Sequence, residues 1–135
     1  MKDNVKEAVP FLWVSDLEAS IRYYVEGLGF TMRHRWEPGG KLRWCWLALG
    51  GASLMLQQRR GPPDGKSGEG VNLYFICDDA LAIYDEALAG GLEPSEPEVG
   101  NGMWVTGLVD PDGFQLFFES PTETPEETRL SEVRR

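Results

Sequence analysis

The feature that most limits the fold of this 135-residue chain is an internal repeat. Asp16 and Asp79 each stand between a β-prone apolar run and a helical pattern, 63 residues apart. Gly51 and Gly113 each close a tight turn before a final strand-like run, 62 residues apart. Two independent landmarks with nearly one offset point to two copies of one supersecondary unit. A chain of this length fills one domain, so the two copies are expected to share a core.

Each copy reads as strand, helix and three strands. In the first, residues 8–14 alternate, with Leu12 and Val14 on one face and Phe11 and Trp13 on the other. Ser15-Asp16-Leu17-Glu18 is a capping-box pattern that opens a helix carrying Leu17, Ile21 and Tyr24. Gly27-Leu28-Gly29 ends it. Strands are expected at 30–36, 41–49 and 52–57, separated by a loop at 37–40 and a turn at Gly50-Gly51. In the second copy a strand at 71–77 leads to a helix capped by Asp78 and Asp79. That helix carries Ala80, Ile83, Tyr84, Ala87 and Leu88 and stops at Gly90-Gly91. Residues 92–99 read as a weak edge strand or loop, and 102–109 as a strand. Asp110-Pro111-Asp112-Gly113 is a tight turn, in which Pro presets φ and Gly permits a positive one. The last strand places Leu116 and Phe118 on one face, and Gln115, Phe117 and Glu119 on the other. The expected organisation is one α+β domain over 1–135, with modules 8–57 and 71–120, a linker at 58–70 and a flexible, charged tail at 121–135.

The net charge of -9 and pI near 4.6 argue against nucleic acid or an anionic membrane surface as partners and permit a cationic ligand. From Glu119 onward there are five acids and three Arg, so the body keeps -7. Cys45 and Cys77 lie in expected strands with no metal-binding spacing and read as buried free thiols of a reducing compartment. No apolar run approaches ~18 residues and the first residues are polar, so neither a membrane span nor a leader is expected and the location reads as cytoplasmic.

The chain resembles the vicinal-oxygen-chelate superfamily, also called the glyoxalase/bleomycin-resistance/dioxygenase family. The residues are Val14-Ser15-Asp16-Leu17-Glu18-Ala19-Ser20, Tyr23-Tyr24 and Gly27-Leu28-Gly29-Phe30. The second copy adds Asp79, Tyr84, Gly90-Gly91, Gly102-Met103 and Asp110-Pro111-Asp112-Gly113. The resemblance runs from about Val9 to Glu119. It implies paired βαβββ modules that form a cupped, U-shaped mixed sheet, helices on the convex side, a ligand in the concave side, and a homodimer. It says little about chemistry, because the family hosts many reactions and also non-catalytic binders.

Metal-dependent members of the family place His, Glu or Gln on the first and last strand of each module, where a divalent ion chelates two substrate oxygens. Counting from the caps and the turn puts these positions at Val9, Met55, Asn72 and Phe117. None is an imidazole or carboxylate, and a Met thioether suits soft ions instead. Slipping each register by one residue restores no ligand set. His34 stands alone among Arg33, Arg35 and Trp36, and reads as a surface residue. No metal or cofactor is expected.

By alternation, the concave face presents Phe11 and Trp13, Met55 and Gln57, Asn72 and Tyr74, and Gln115 and Phe117, with Glu119 at its mouth. The third strand adds either Trp44 and Trp46 or Arg43, Cys45 and Leu47, and Trp104 precedes the final hairpin. Trp44 and Trp46 serve equally well as pocket walls or as packing at a dimer seam. Such an aromatic cup with a few amides suits a flat or hydrophobic small molecule. Three functions are compatible with it. The first is sequestration of a ligand, with a cationic bleomycin-like antibiotic as one candidate, without metal. The second is a metal-dependent lyase, isomerase or dioxygenase. The third is a structural role with the cup filled by side chains.

Overall fold

The computed structural model describes residues 2–62, 68 and 70–134 of the chain. Among these residues, eight strands form two four-stranded mixed sheets. Sheet 1 contains β1 (Phe11–Val14), β2 (Thr31–Trp36), β3 (Trp44–Leu49) and β4 (Ala52–Gln58), in the order β1-β4-β3-β2. Sheet 2 contains β5 (Asn72–Ile76), β6 (Glu98–Gly100), β7 (Met103–Val109) and β8 (Gln115–Pro121), in the order β5-β8-β7-β6. In both, the first strand pairs parallel with the last and the remaining pairs are antiparallel. The expected α+β fold with tandem βαβββ modules is therefore the observed one. Of the linker expected at 58–70, Gln58 ends β4, while residues 63–67 and 69 lie outside the described residues.

Helix α1 (Leu17–Ile21) widens into π-type turns over Arg22–Gly27, and α2 spans Ala80–Ala89. Asp16 caps α1, its carboxylate accepting from Ala19 N at 3.2 Å. Asp79 caps α2, accepting from Leu81 N at 3.0 Å and Ala82 N at 3.1 Å. These bonds satisfy N–H groups that a helix start leaves without intrahelical partners. The repeat extends further. Leu17 N donates to Gln58 Oε1 at 2.9 Å, and Ala80 N donates to Ser120 Oγ at 2.8 Å. The donors are 63 residues apart and the acceptors 62, so each module ties its helix to the end of its own last strand by the same device.

One core joins the modules. Leu12, Val14, Leu54 and Leu56 of sheet 1 and Leu116 and Phe118 of sheet 2 are buried with Tyr24, Phe30 and Ala87. Phe30 meets Phe75 edge-on at 6.2 Å, and Phe75 stacks on Phe118 at 4.8 Å. Leu12, Val14, Leu73, Phe75, Leu116 and Phe118 thus face the core, as the alternation predicts. Leu88 of α2 is instead exposed, because the short helix covers sheet 2 with Ala80 and Ala87.

The tail departs from expectation. Residues 121–134 are not frayed. They return along β6, where Arg129 bridges to Glu98, and end in α3 (Leu130–Val133). Leu130 is buried with Ala80, Val99 and Trp104, and Arg134 pairs with Asp85 of α2 at 2.7 Å. A single apolar residue suffices to dock such a segment when backbone bonds accompany it, here Leu130 N to Pro97 O and Val99 N to Thr128 O, both 2.9 Å. One buried apolar residue in a charged segment makes no periodic pattern.

Candidate functional site

The face of each sheet turned away from the core is open. On sheet 1 the strand pairings decide what occupies it. Phe11 lies beside Met55 and Trp13 beside Gln57 in the β1–β4 ladder. Trp46 lies opposite Met55 and Trp44 opposite Gln57 in β3–β4. Cys45 and Leu47 are buried, so the open face of β3 holds Trp44 and Trp46, which settles the alternative left open by the alternation. In β2, His34 stands opposite Trp46 and Trp36 opposite Trp44. His34 meets Trp46 edge-on at 5.9 Å, and Phe11 meets Trp13 edge-on at 5.3 Å. The result is a wall of four indoles, a phenyl ring and an imidazole. Trp13 is 48% exposed and Trp36 is 51% exposed.

The open face of sheet 2 carries fewer aromatic rings and more polar groups. Asn72 lies beside Gln115, Tyr74 beside Phe117, and Ile76 beside Glu119. The Tyr74 and Phe117 rings stack with centroids 4.9 Å apart. Phe117 can lie flat because Gly107 is its neighbour in β7; a Cβ there would stand 3.1 Å from the ring. Gln115 and Phe117 border a cleft of about 610 Å³ with Tyr23, Leu92, Ser95 and Val109.

Trp104 does not join this face. Alternation along β7 places it with Thr106 and Leu108 on the covered side, where it is 7% exposed and packs on Ala80, Val99 and Leu130. Its position before the final hairpin did not reveal which face it takes, because the partner register decides that. The other expected residues fall on the open faces in two groups: Phe11, Trp13, Trp44, Trp46, Met55 and Gln57 on sheet 1, and Asn72, Tyr74, Gln115, Phe117 and Glu119 on sheet 2. Among the described residues no ring contact joins the two groups. Trp36 and His34 are additions. Their two-residue spacing was visible in the sequence, but only pairing with Trp44 and Trp46 shows that they extend the wall.

The four positions at which family members hold metal do not form a donor set here. Met55 lies among the rings of sheet 1, Phe117 is stacked on Tyr74, Asn72 is exposed at the edge of sheet 2, and Val9 precedes β1. A divalent ion of borderline or hard character needs imidazole, carboxylate or several amide oxygens. Among the described residues no three His, Cys, Asp or Glu side chains cluster. Neither thiol is poised as a nucleophile. Burial pushes Cys45 up to about 11 and also raises Cys77, which is half-buried rather than buried and donates weakly to Glu119 O at 3.4 Å.

Two βαβββ modules that share one core, each with an open outer face, define the fold class. The chain belongs to the glyoxalase/bleomycin resistance protein/dioxygenase superfamily, whose model matches residues 7–118. Its structure is similar to TnmS3, an antibiotic-binding protein from Streptomyces sp. CB03234 (25% identity, TM-score 0.70, covering 88% of this chain and 98% of that one). It is also similar to a bleomycin resistance determinant encoded on the transposon Tn5 (23% identity, TM-score 0.71, 87% and 98%). A third is a bleomycin-binding protein solved with bleomycin (22%, TM-score 0.69, 87% and 100%). A search of curated protein sequences finds no significant match. No helix among the described residues is long and apolar enough to cross a membrane.

Proposed function

We propose that this chain binds and sequesters a flat, hydrophobic small molecule, without metal, against the tryptophan wall of sheet 1. The observation that carries this reading is the convergence of Trp13, Trp36, Trp44 and Trp46 with Phe11 and His34 on one uncovered face. Indole faces stack flat rings, and each ring contact adds roughly 0.5–1.5 kcal/mol beyond the area it buries. Gln57 and Met55 lie between the indoles, the first to orient a polar group and the second to adapt in shape.

A wall on one chain is open, and a second copy closes it. Phe11 and Trp13 on β1, and Tyr74 and Ile76 on β5, lie on strands that each have one unpaired edge. Charge favours placing module 1 of one copy over module 2 of the other. Residues 1–62 carry nine Lys and Arg against six Asp and Glu, whereas residues 71–135 carry three against fourteen. In a homodimer of that kind the acids Glu98 and Glu119 face a ligand from the second wall and draw its cationic groups. A cationic antibiotic with flat heteroaromatic rings, such as bleomycin, is the sharpest version of this reading, and the cytoplasm its place of action.

Titration with metal-free and copper-loaded bleomycin, followed by tryptophan fluorescence, tests it. A saturable change at micromolar concentration is expected. A flat response overturns the antibiotic version.

A further inference from the structure

The tryptophan wall runs at one end into a cleft of about 520 Å³ lined by Trp36, Pro38, Arg43, Gln57, Gln58, Arg59 and Arg60. Trp36 and Gln57 belong to both the cleft and the wall. Three guanidinium-bearing residues thus stand where β2 and β4 end and β3 begins, and the described lining includes no Asp or Glu. The backbone there is fixed. Arg43 N donates to Trp36 O at 2.9 Å, Gln58 N to Arg43 O at 2.9 Å, and Arg59 N to Val14 O at 2.8 Å. The Gln58 side chain is committed to the start of α1 through Leu17 N and Ser15 O. Among the described residues, Glu37 pairs with Arg35 at 2.9 Å, and Asp112 accepts from Ser15 N at 3.0 Å. A surplus of positive charge in residues 1–62 reinforces this local picture, although the whole chain is acidic.

We propose that this cleft takes an oxyanion, a carboxylate, sulfonate or phosphate group, carried on the flat body that lies across the indoles. Arg43 and Arg60 are the groups assigned to it. Guanidinium recognises planar and tetrahedral oxyanions through paired N–H donors, and Trp36 beside them lets the attached ring stack as the charge is paired. Net charge alone suggests a cation; the distribution of charge says that the wall of sheet 1 meets the acidic end of its ligand, leaving cationic groups to sheet 2. The ligand class is then an aromatic acid or an amphoteric aromatic compound. This assignment rests on the binding reading above.

The test uses three probes with one ring system: naphthalene-2-sulfonate, the neutral naphthalene-2-sulfonamide and 2-naphthylmethylammonium. Affinities are read by calorimetry on the full chain and on R43Q/R60Q, with single R60Q as the milder variant and thermal melting as the check on folding. The sulfonate is expected to bind about tenfold more tightly than the sulfonamide, the difference one charge-assisted hydrogen bond makes. R43Q/R60Q should remove that difference, leave the neutral sulfonamide unchanged and not weaken the ammonium probe. Raising NaCl from about 50 to about 300 mM should weaken the sulfonate and leave the neutral sulfonamide unchanged. Equal affinity for sulfonate and sulfonamide, or a preference that survives R43Q/R60Q, overturns the oxyanion cleft while the wall stands. Failure of all three probes to bind overturns the wall as well.

Discussion

Tyr24 Oη donates to Asp110 Oδ2 across 2.6 Å, and through that bond the helix of module 1 is fastened to the turn of module 2. The other oxygen, Oδ1, accepts from Asp112 N and Phe114 N, both at 2.9 Å. Asp110 is 4% exposed. The turn therefore uses a buried carboxyl both to close itself and to join the modules, and Asp112 Oδ1 adds a second tie through Ser15 N.

Tyr24→Phe should cost about 1–3 kcal/mol, because it leaves a buried acceptor without its donor. Burial pushes the Asp110 carboxyl above its ordinary value, and the bonds from Tyr24, Phe114 N and Asp112 N hold it back. Losing the Tyr24 hydroxyl raises it further. A carboxyl raised on folding contributes stability below its unfolded value and loses it as pH rises through the folded one. The deficit of the variant is therefore largest near neutrality and shrinks toward pH 4. Urea denaturation at the two pH values reads this; an equal deficit at both contradicts it.

Trp46→Ala and Trp104→Ala should separate binding from folding. Trp104 is buried among Ala80, Val99 and Leu130, so its truncation costs about 3–5 kcal/mol. Trp46 is half-buried on the open wall beside His34, so its truncation costs less and weakens ligand binding instead. Chemical denaturation paired with a binding isotherm distinguishes the two.

Gly107→Ala should disturb sheet 2 without unfolding it. The added Cβ comes within 3.1 Å of Phe117 and 3.4 Å of Ser95 Oγ. Phe117 has to shift off Tyr74, at a cost of about 1 kcal/mol. Ring-current shifts of the Tyr74 protons report the lost stack.

Leu130→Ala should cost about 2 kcal/mol or more, since Leu130 anchors the terminal segment on Val99 and Trp104. Limited proteolysis should then cut beyond Pro121 in the variant before the native chain is cut there. Resistance equal to that of the native chain would mean that backbone bonds alone hold the segment.

Metal analysis of the purified protein should find no stoichiometric divalent ion, and chelation with EDTA should leave probe binding unchanged. A stoichiometric ion would transfer weight to the metal-dependent enzymes of the superfamily, with ligands other than Val9, Met55, Asn72 and Phe117.

Local pattern alone determined the two modules. Asp16 and Asp79, Gly51 and Gly113, and the alternation of Leu12 with Trp13 and of Leu116 with Phe117 are properties of neighbouring residues, which short-range sterics and capping translate directly into strands, helices and turns. Strand pairing and the distribution of side chains over the two sheets are not properties of neighbouring residues. Whether Trp104 faces the core, and whether Trp36 and His34 join Trp44 and Trp46, depends on which strand lies alongside and in what register. Leu130 docks because distant Val99 and Trp104 leave a place for it, and Arg43 and Arg60 share one cleft because β2 and β4 end where β3 begins. These are contacts between residues far apart in the chain, so only the assembled sheets decide them.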